Sequence, residues 1–169
     1  MTKNQKLSKI ISLALVIAVI VVFSRLMSIE LPFYKFSLTF LPLAIMGTMF
    51  SPLWSMTGNI IADFIGMFLF PKASFFLGFT LNAALIGLIY SYFLHHKSKS
   101  WKNIMLATFF VNFGVNLFLT SLWLHMMYQT PFWPLVLSRL LPECITFVLQ
   151  VITLKLMFKY LPKNLLPIF

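Results

Sequence analysis

Residues 38–70 read LTFLPLAIMGTMFSPLWSMTGNIIADFIGMFLF, and they determine the number of helices in the chain. The stretch is too long for one membrane helix of about 20 residues and too short for two full spans joined by a normal loop. The Ser51-Pro52 pair divides it, because proline disfavours helix at the preceding residue and fits the first turn of a helix. We therefore predict a short second helix at about 39–50 and a third helix at about 52–70.

Four further apolar runs flank this stretch. They predict helices at about 8–28, 75–94, 102–126 and 133–160. Turn-forming residues separate the runs: Pro32, Pro71, the block His95–Ser100, and Pro131. The sequence thus predicts an all-α integral membrane protein whose single domain, residues 1–169, contains six transmembrane helices.

The composition excludes an ordinary soluble domain. The 169 residues are 60% hydrophobic and 9% charged, with 20 Phe and 4 Trp, which is more apolar surface than a core of this size buries. The net charge of +10 is also typical of nucleic-acid binding, but here the basic residues border apolar runs. That arrangement suits anionic lipid headgroups. We expect a multi-pass protein of a bacterial plasma membrane, with membrane lipid and not nucleic acid as a partner.

The basic residues indicate the orientation. Nine lysines form three clusters: Lys3, Lys6 and Lys9; Lys97, Lys99 and Lys102; Lys155, Lys159 and Lys163. Six helices place both termini and the central cluster on one face, which the positive-inside rule makes cytoplasmic. The other four basic residues, Arg25, Lys35, Lys72 and Arg139, are expected on the opposite face as an anion-attracting rim.

Polar side chains within the apolar runs are candidates for function, because they are costly in a bilayer. The candidates are Asp63 with Asn59; Thr80 and Asn82; Asn112, Asn116 and Thr120; and Arg139, Glu143, Thr146 and Gln150. In every set except Thr80 and Asn82, spacings of three and four residues put the members on one helix face. They predict a polar cavity open to the exterior. The alternatives are hydrogen bonds that hold the bundle together and a simple ion pair between Arg139 and Glu143.

Small residues recur at intervals of four on helix 1, at Ala14 and Ala18. Such spacing permits close helix packing, either within the bundle or against another subunit. The sequence has no glycine-rich phosphate loop, no nucleophile with a matching base, and no histidine spacing typical of a metal site. We expect neither enzymatic activity nor a cofactor or metal.

Two regions of the chain resemble a known family. One contains Leu41-Pro42-Leu43-Ala44, Phe50-Ser51-Pro52-Leu53-Trp54 and Ala62-Asp63-Phe64-Ile65-Gly66; the other runs from Phe70-Pro71 through Gly78-Phe79-Thr80-Leu81-Asn82 to Tyr90. These motifs resemble the substrate-binding S-components of energy-coupling factor (ECF) vitamin transporters, in particular the folate-type members.

The resemblance implies a vitamin-binding membrane subunit without its own motor. In that family a transmembrane coupling protein and two ATP-binding cassette ATPases associate with the S-component, which topples in the membrane to release its substrate inward. An Ala-x-x-x-Ala motif on the first helix contacts the coupling protein, and Ala14 and Ala18 match it.

Folate suits the charges of this sequence. Its two carboxylates favour Arg139 as an anchor, and the edge of its pterin ring suits a carboxylate, either Asp63 or Glu143. Phe76, Phe79 and Trp133 are candidates to stack on the ring. The full set of expected binding residues is Asp63, Arg139, Glu143, Arg25, Lys72, Phe76, Phe79, Thr80, Asn82 and Asn116. The alternatives are an S-component for riboflavin, thiamine or a biotin-like vitamin, and a secondary carrier or intramembrane enzyme.

Overall fold

The computed structural model describes residues 3–31, 34–71 and 76–161, which form six helices and one β-hairpin. The helices are α1 (Lys3–Arg25), α2 (Phe40–Met49), α3 (Pro52–Leu69), α4 (Leu77–Leu94), α5 (Trp101–Tyr128) and α6 (Phe132–Tyr160). The predicted number of helices is confirmed, and most ends agree to within two residues. The largest difference is at the start of α1, because the lysine-bearing turns before the apolar run are also helical.

The predicted division at Ser51-Pro52 is confirmed. The backbone of Ser51 is extended (φ −61°, ψ 160°), and Pro52 occupies the first turn of α3. The carbonyl of Phe50, at the end of α2, accepts a hydrogen bond of 2.7 Å from the Ser91 hydroxyl of α4. This bond satisfies a carbonyl that the end of a helix otherwise leaves without a partner.

Helix α2 is short but central, with hydrophobic clusters on both sides. One cluster joins its Met46 and Phe50 to α1 and α3, and the other joins Ala44 to α4, α5 and α6. Gly47 permits the close approach of α4, since a Cβ atom there would lie 2.6 Å from the Cβ of Tyr90. A larger residue at position 47 would therefore force α2 and α4 apart.

A hairpin follows α1, where the sequence predicted only a loop. Strand β1 (Ser28–Leu31) pairs antiparallel with β2 (Tyr34–Ser37), and Glu30 lies opposite Lys35 in the backbone register. The alternation of polar and apolar residues in both segments is typical of strands. The helix predicted to reach residue 28 ends at Arg25. Apart from this hairpin, the elements of the described residues are helices, in agreement with the predicted fold class. The Ser37 hydroxyl donates to the Phe23 carbonyl (3.1 Å) and attaches the hairpin to α1.

Helix α5 changes its winding in the middle. Its segments Trp101–Phe109 and Thr120–Tyr128 are α-helical, whereas Phe110–Leu119 forms a π-helix. Such segments are rare and are often found at functional sites. The uniform apolar pattern of the sequence gave no indication of this change.

Three lysine clusters meet at one end of the bundle, as the helix count predicted. Lys9 of α1 lies over the Trp54 ring of α3, with its Nζ atom 4.4 Å from the centroid. On the other side, Lys155 of α6 donates a 3.0 Å hydrogen bond to the carbonyl of Lys99. Lys163 lies outside the described residues. We call this the lysine end.

The opposite end contains Arg25, the last residue of α1, and Arg139, in the first half of α6. We call it the arginine end. Within the described part of the chain, four helices are long and apolar enough to cross a membrane: α1, from Asn4, together with α4, α5 and α6.

Candidate functional site

At the arginine end, Asp63 joins three helices. Its Oδ1 atom lies 3.7 Å from Nη2 of Arg25 on α1, and its Oδ2 atom accepts a 2.9 Å hydrogen bond from Thr80 on α4. Gly66 provides the space for this contact, because a Cβ atom there would lie 2.8 Å from Nε of Arg25. Both charged side chains are largely shielded, with 13% of Arg25 and 19% of Asp63 exposed.

An amide and an indole link α4 to α5 next to this cluster. Asn82 donates a 2.8 Å hydrogen bond to the Thr120 hydroxyl and accepts a 3.0 Å bond from the Trp123 indole. The Trp123 ring also contacts Phe76, with 5.8 Å between the centroids, and Phe76 is 6.0 Å from Phe79. Trp123, Phe76 and Phe79 thus form an aromatic cluster, and the buried Asn82 amide fixes the orientation of the Trp123 ring.

A second arginine–carboxylate pair lies on α6. Nη2 of Arg139 is 3.7 Å from Oε1 of Glu143, and Nη1 donates a 3.2 Å hydrogen bond to Ser121 of α5. Only 5% of Arg139 and 3% of Glu143 are exposed. The ion-pair interpretation of these two residues is therefore present in the structure. It does not remove the functional interpretation, because arginine has donors for more than one acceptor.

Further into the bundle, three amides connect α5 with α6. Asn112 donates a 3.0 Å hydrogen bond to Gln150 and accepts a 3.3 Å bond from Asn116. Both asparagines belong to the π-helical segment. This network continues the polar face from Thr120 towards the middle of the bundle.

The structure places the described site residues in four separate groups of contacts, and it changes the picture of a cationic rim. Arg25 and Arg139 are not open surface charges, since each lies beside a carboxylate. Trp133 is 67% exposed, which leaves it outside the clusters described above. Lys72, which was expected to bind the substrate, lies outside the described residues, and the side chain of Lys35 is not described either.

Trp123 and Ser121 were not among the sequence candidates. Trp123 lies seven residues after Asn116 and three after Thr120, so helical periodicity placed it on the same polar face. Ser121 had no such signal, because a single serine in an apolar helix usually bonds to its own backbone.

Ala14 and Ala18 lie on the exposed face of α1. The buried face of that helix is formed by Leu13, Val16, Ile17 and Ile20. The small-residue pair therefore does not serve packing within the bundle, which was one of the two interpretations of its spacing. Among the described residues, no group of three or more His, Cys, Asp or Glu side chains is placed to hold a metal ion.

Residues 8–166 match the family described as ECF transporter, substrate-specific component. The chain belongs to this family. Two relatives of this S-component are named folate transporter FolT. That of Clostridium novyi (strain NT) is 33% identical over 150 residues, which cover 89% of this chain and 87% of the relative. That of Leuconostoc mesenteroides is 37% identical over 136 residues, covering 79% and 72%.

Solved structures agree with this assignment. The crystal structure of FolT bound with folic acid is 41% identical to this S-component, has a TM-score of 0.87, and is matched over 92% of this chain and 95% of that one. The S-component for biotin from an ECF-type ABC transporter is matched over 98% of both chains with a TM-score of 0.69. Its identity of 19% indicates a shared fold only.

Proposed function

We propose that this S-component captures folate from outside the cell and delivers it inward. The observation that supports this most is the likeness to FolT bound with folic acid, at 41% identity over nearly the whole chain. The charges are also suitable. Folic acid has two carboxylates at one end and a hydrogen-bonding pterin ring at the other, and the arginine end offers two arginines, two carboxylates and a group of aromatic rings.

The proposed site comprises the ten residues expected from the sequence, with Trp123 added. Arg139 anchors the glutamate carboxylates, for which a guanidinium is better suited than an ammonium group. Asp63, held by Thr80, accepts hydrogen bonds from the pterin edge. Phe76, with Trp123 beside it, packs on the ring. The protein itself carries out no chemical reaction in this proposal.

The proposed setting is a bacterial plasma membrane that contains all six helices as a single domain. The 10-residue α2 is too short to cross it and occupies only part of its thickness. The lysine end faces the cytoplasm, since positive charge is concentrated on that side of membrane proteins. Both termini then lie inside, and the arginine end opens to the exterior. A transmembrane coupling protein and two ATP-binding cassette ATPases supply the energy, as the family resemblance implies.

The coupling protein is proposed to dock on Ala14 and Ala18. Both are exposed, and small side chains permit a partner helix to come close. Ala14→Leu/Ala18→Leu is expected to abolish folate uptake by cells that contain the whole transporter, while folate binding by the purified subunit remains unchanged. Cys144→Leu is the matched control, because Cys144 is a small exposed residue on α6. Normal uptake with the double alanine variant would overturn the docking proposal.

The binding proposal is tested by native mass spectrometry and thermal unfolding of the purified subunit. Folic acid at micromolar concentration is expected to remain bound and to raise the melting temperature, because a ligand that binds only the folded state stabilises it. Riboflavin, thiamine and biotin provide the comparison. A shift with one of these and none with folic acid would reassign the substrate, and no shift with any vitamin would reject the proposal.

A further inference from the structure

At the lysine end, ammonium groups lie over exposed aromatic rings. The Nζ atoms of three lysines are 4.3 to 5.7 Å from a ring centroid: Lys9 over Trp54, Lys97 over Tyr92, and Lys155 over Trp101. The rings themselves are 41%, 58% and 50% exposed. A ring occupies only one side of an ammonium group, which has three N–H donors, so each lysine keeps a donor for another acceptor. This holds even for Lys155, which uses one donor in its bond to the Lys99 carbonyl. The three pairs lie on different helices and so surround this end of the bundle.

In the part of the chain that the structure describes, no acidic side chain pairs with the lysines of this end. The sequence has three acidic residues, namely Glu30, Asp63 and Glu143. Asp63 and Glu143 lie beside the two arginines, and Glu30 belongs to the hairpin that follows α1. The described lysines of this end are therefore available to an anion from another molecule.

Several of these positive charges lie near His95, at a position between α1, α2 and α4. Its Nδ1 atom lies 3.3 Å from the carbonyl of Thr48 at the end of α2. Burial lowers the pKa of His95, and the charges of His96, Lys99 and Lys9 lower it further, against the opposing effect of the hydrogen bond to Thr48. An anion placed here would meet positive charge from α1 and from the loop after α4.

We propose that the lysine end binds the phosphate groups of anionic phospholipids. The binding surface consists of Lys9, Lys97 and Lys155 with the rings of Trp54, Tyr92 and Trp101. Tryptophan and tyrosine collect at the level of the headgroups, and lysine stems extend from apolar helices to the same level. The surface thus combines phosphate-binding donors with rings that occupy the interface, a combination that suits a lipid more than a soluble anion.

Native mass spectrometry from nanodiscs tests this proposal. The full chain is reconstituted in equal parts of phosphatidylglycerol and phosphatidylcholine with identical acyl chains, and the retained lipids are counted. Wild type is expected to retain phosphatidylglycerol at least fivefold more often. Lys9→Gln/Lys155→Gln is expected to lose most of this preference, because it removes the cations of two lysine–ring pairs.

Lys6→Gln/Lys102→Gln is the matched control. It removes the same charge from the same end, at exposed lysines that are not over a ring among the described residues. This control is expected to keep the preference to within twofold. Equal losses in the two double variants, or no preference in wild type, would overturn the proposal.

Lys9→Arg/Lys155→Arg, which keeps the charge and the contact with the rings, is expected to keep the preference. Its loss in this variant would also contradict the proposal. A normal circular dichroism spectrum is required of every variant. Inorganic phosphate at millimolar concentration is expected not to displace the lipid, and displacement would mean that the surface binds soluble anions instead.

Discussion

The two ends of the bundle carry positive charge in opposite ways. At the arginine end, Arg25 and Arg139 are largely buried beside carboxylates. At the lysine end, lysines lie over exposed rings, and no acidic side chain among the described residues pairs with them. A buried cation beside a carboxylate is held in a fixed orientation by the protein. An exposed lysine is free to bind an anion that belongs to another molecule.

This difference corresponds to two kinds of partner. A small ligand with both donors and acceptors requires fixed groups of both signs, because every polar atom that it buries must be matched. An anionic lipid surface requires only accessible positive charge at the depth of the lipid headgroups. The net charge of the sequence does not distinguish these cases, but the position of the three acidic residues does.

The largest effect is expected from breaking the pair of Arg139 and Glu143. Removing one partner of a buried ion pair costs about 3–5 kcal/mol, whereas removing both costs much less. Arg139→Gln is therefore expected to lower the unfolding temperature and to abolish folate binding. Arg139→Gln/Glu143→Gln is expected to regain most of the stability without regaining binding. Thermal unfolding and folate titration measure the two effects. Restored binding in the double variant would mean that Arg139 has a structural role alone.

The next largest effect is expected at Asp63. Asp63→Asn keeps the shape of the side chain but removes the charge that lies beside Arg25 and accepts from Thr80. The dissociation constant for folate is expected to rise at least tenfold, or about 1.4 kcal/mol. Titration calorimetry measures it, with Thr57→Ala as a control, because Thr57 is an exposed threonine that bonds only locally. Wild-type affinity in Asp63→Asn would remove this carboxylate from the site.

A smaller effect is expected at Asn82, which orients the Trp123 indole without itself being charged. Asn82→Ala is expected to weaken folate binding by roughly three- to tenfold, since each neutral hydrogen bond contributes about 1 kcal/mol. Asn103→Ala is the matched control, because the Asn103 amide bonds to the Ser98 carbonyl at the lysine end. Equal changes in the two variants would indicate a general loss of stability instead of a local effect on the site.

The smallest effect is expected at His95 and concerns the lysine end. Its pKa is lowered from the ordinary value, mainly by burial, which favours the neutral ring. A lipid phosphate nearby favours the protonated form and raises this pKa. Nuclear magnetic resonance titration is expected to give a higher pKa in phosphatidylglycerol than in phosphatidylcholine nanodiscs, by a fraction of a unit. The same pKa in both lipids would argue against a headgroup at this position.

Local patterns in the sequence were sufficient for the helices and for the common position of the lysines. The Ser51-Pro52 pair fixed the division between α2 and α3, because its effect depends on neighbouring residues only. The pairing of Arg25 with Asp63 was not predictable in this way. It joins α1 to α3 over Gly66, and such contacts depend on how the helices cross.

The same limit applies to the interior of α5. The spacing of Asn112, Asn116 and Thr120 correctly indicated one polar face. It did not indicate the π-helix, since a changed winding leaves no simple trace in residue types. The hairpin after α1 was missed for another reason. Its strands have only four residues each, and the turn-forming residues around them indicated a loop.

The division of roles between the two ends is tested most directly by titrating folic acid into the full chain in nanodiscs. Wild type and Lys9→Gln/Lys155→Gln are expected to bind one folate with the same affinity, whereas the folded Arg139→Gln/Glu143→Gln variant is expected to show no saturable binding. Failure of wild type to bind folic acid, or an equal loss of affinity in both double variants, would contradict the account.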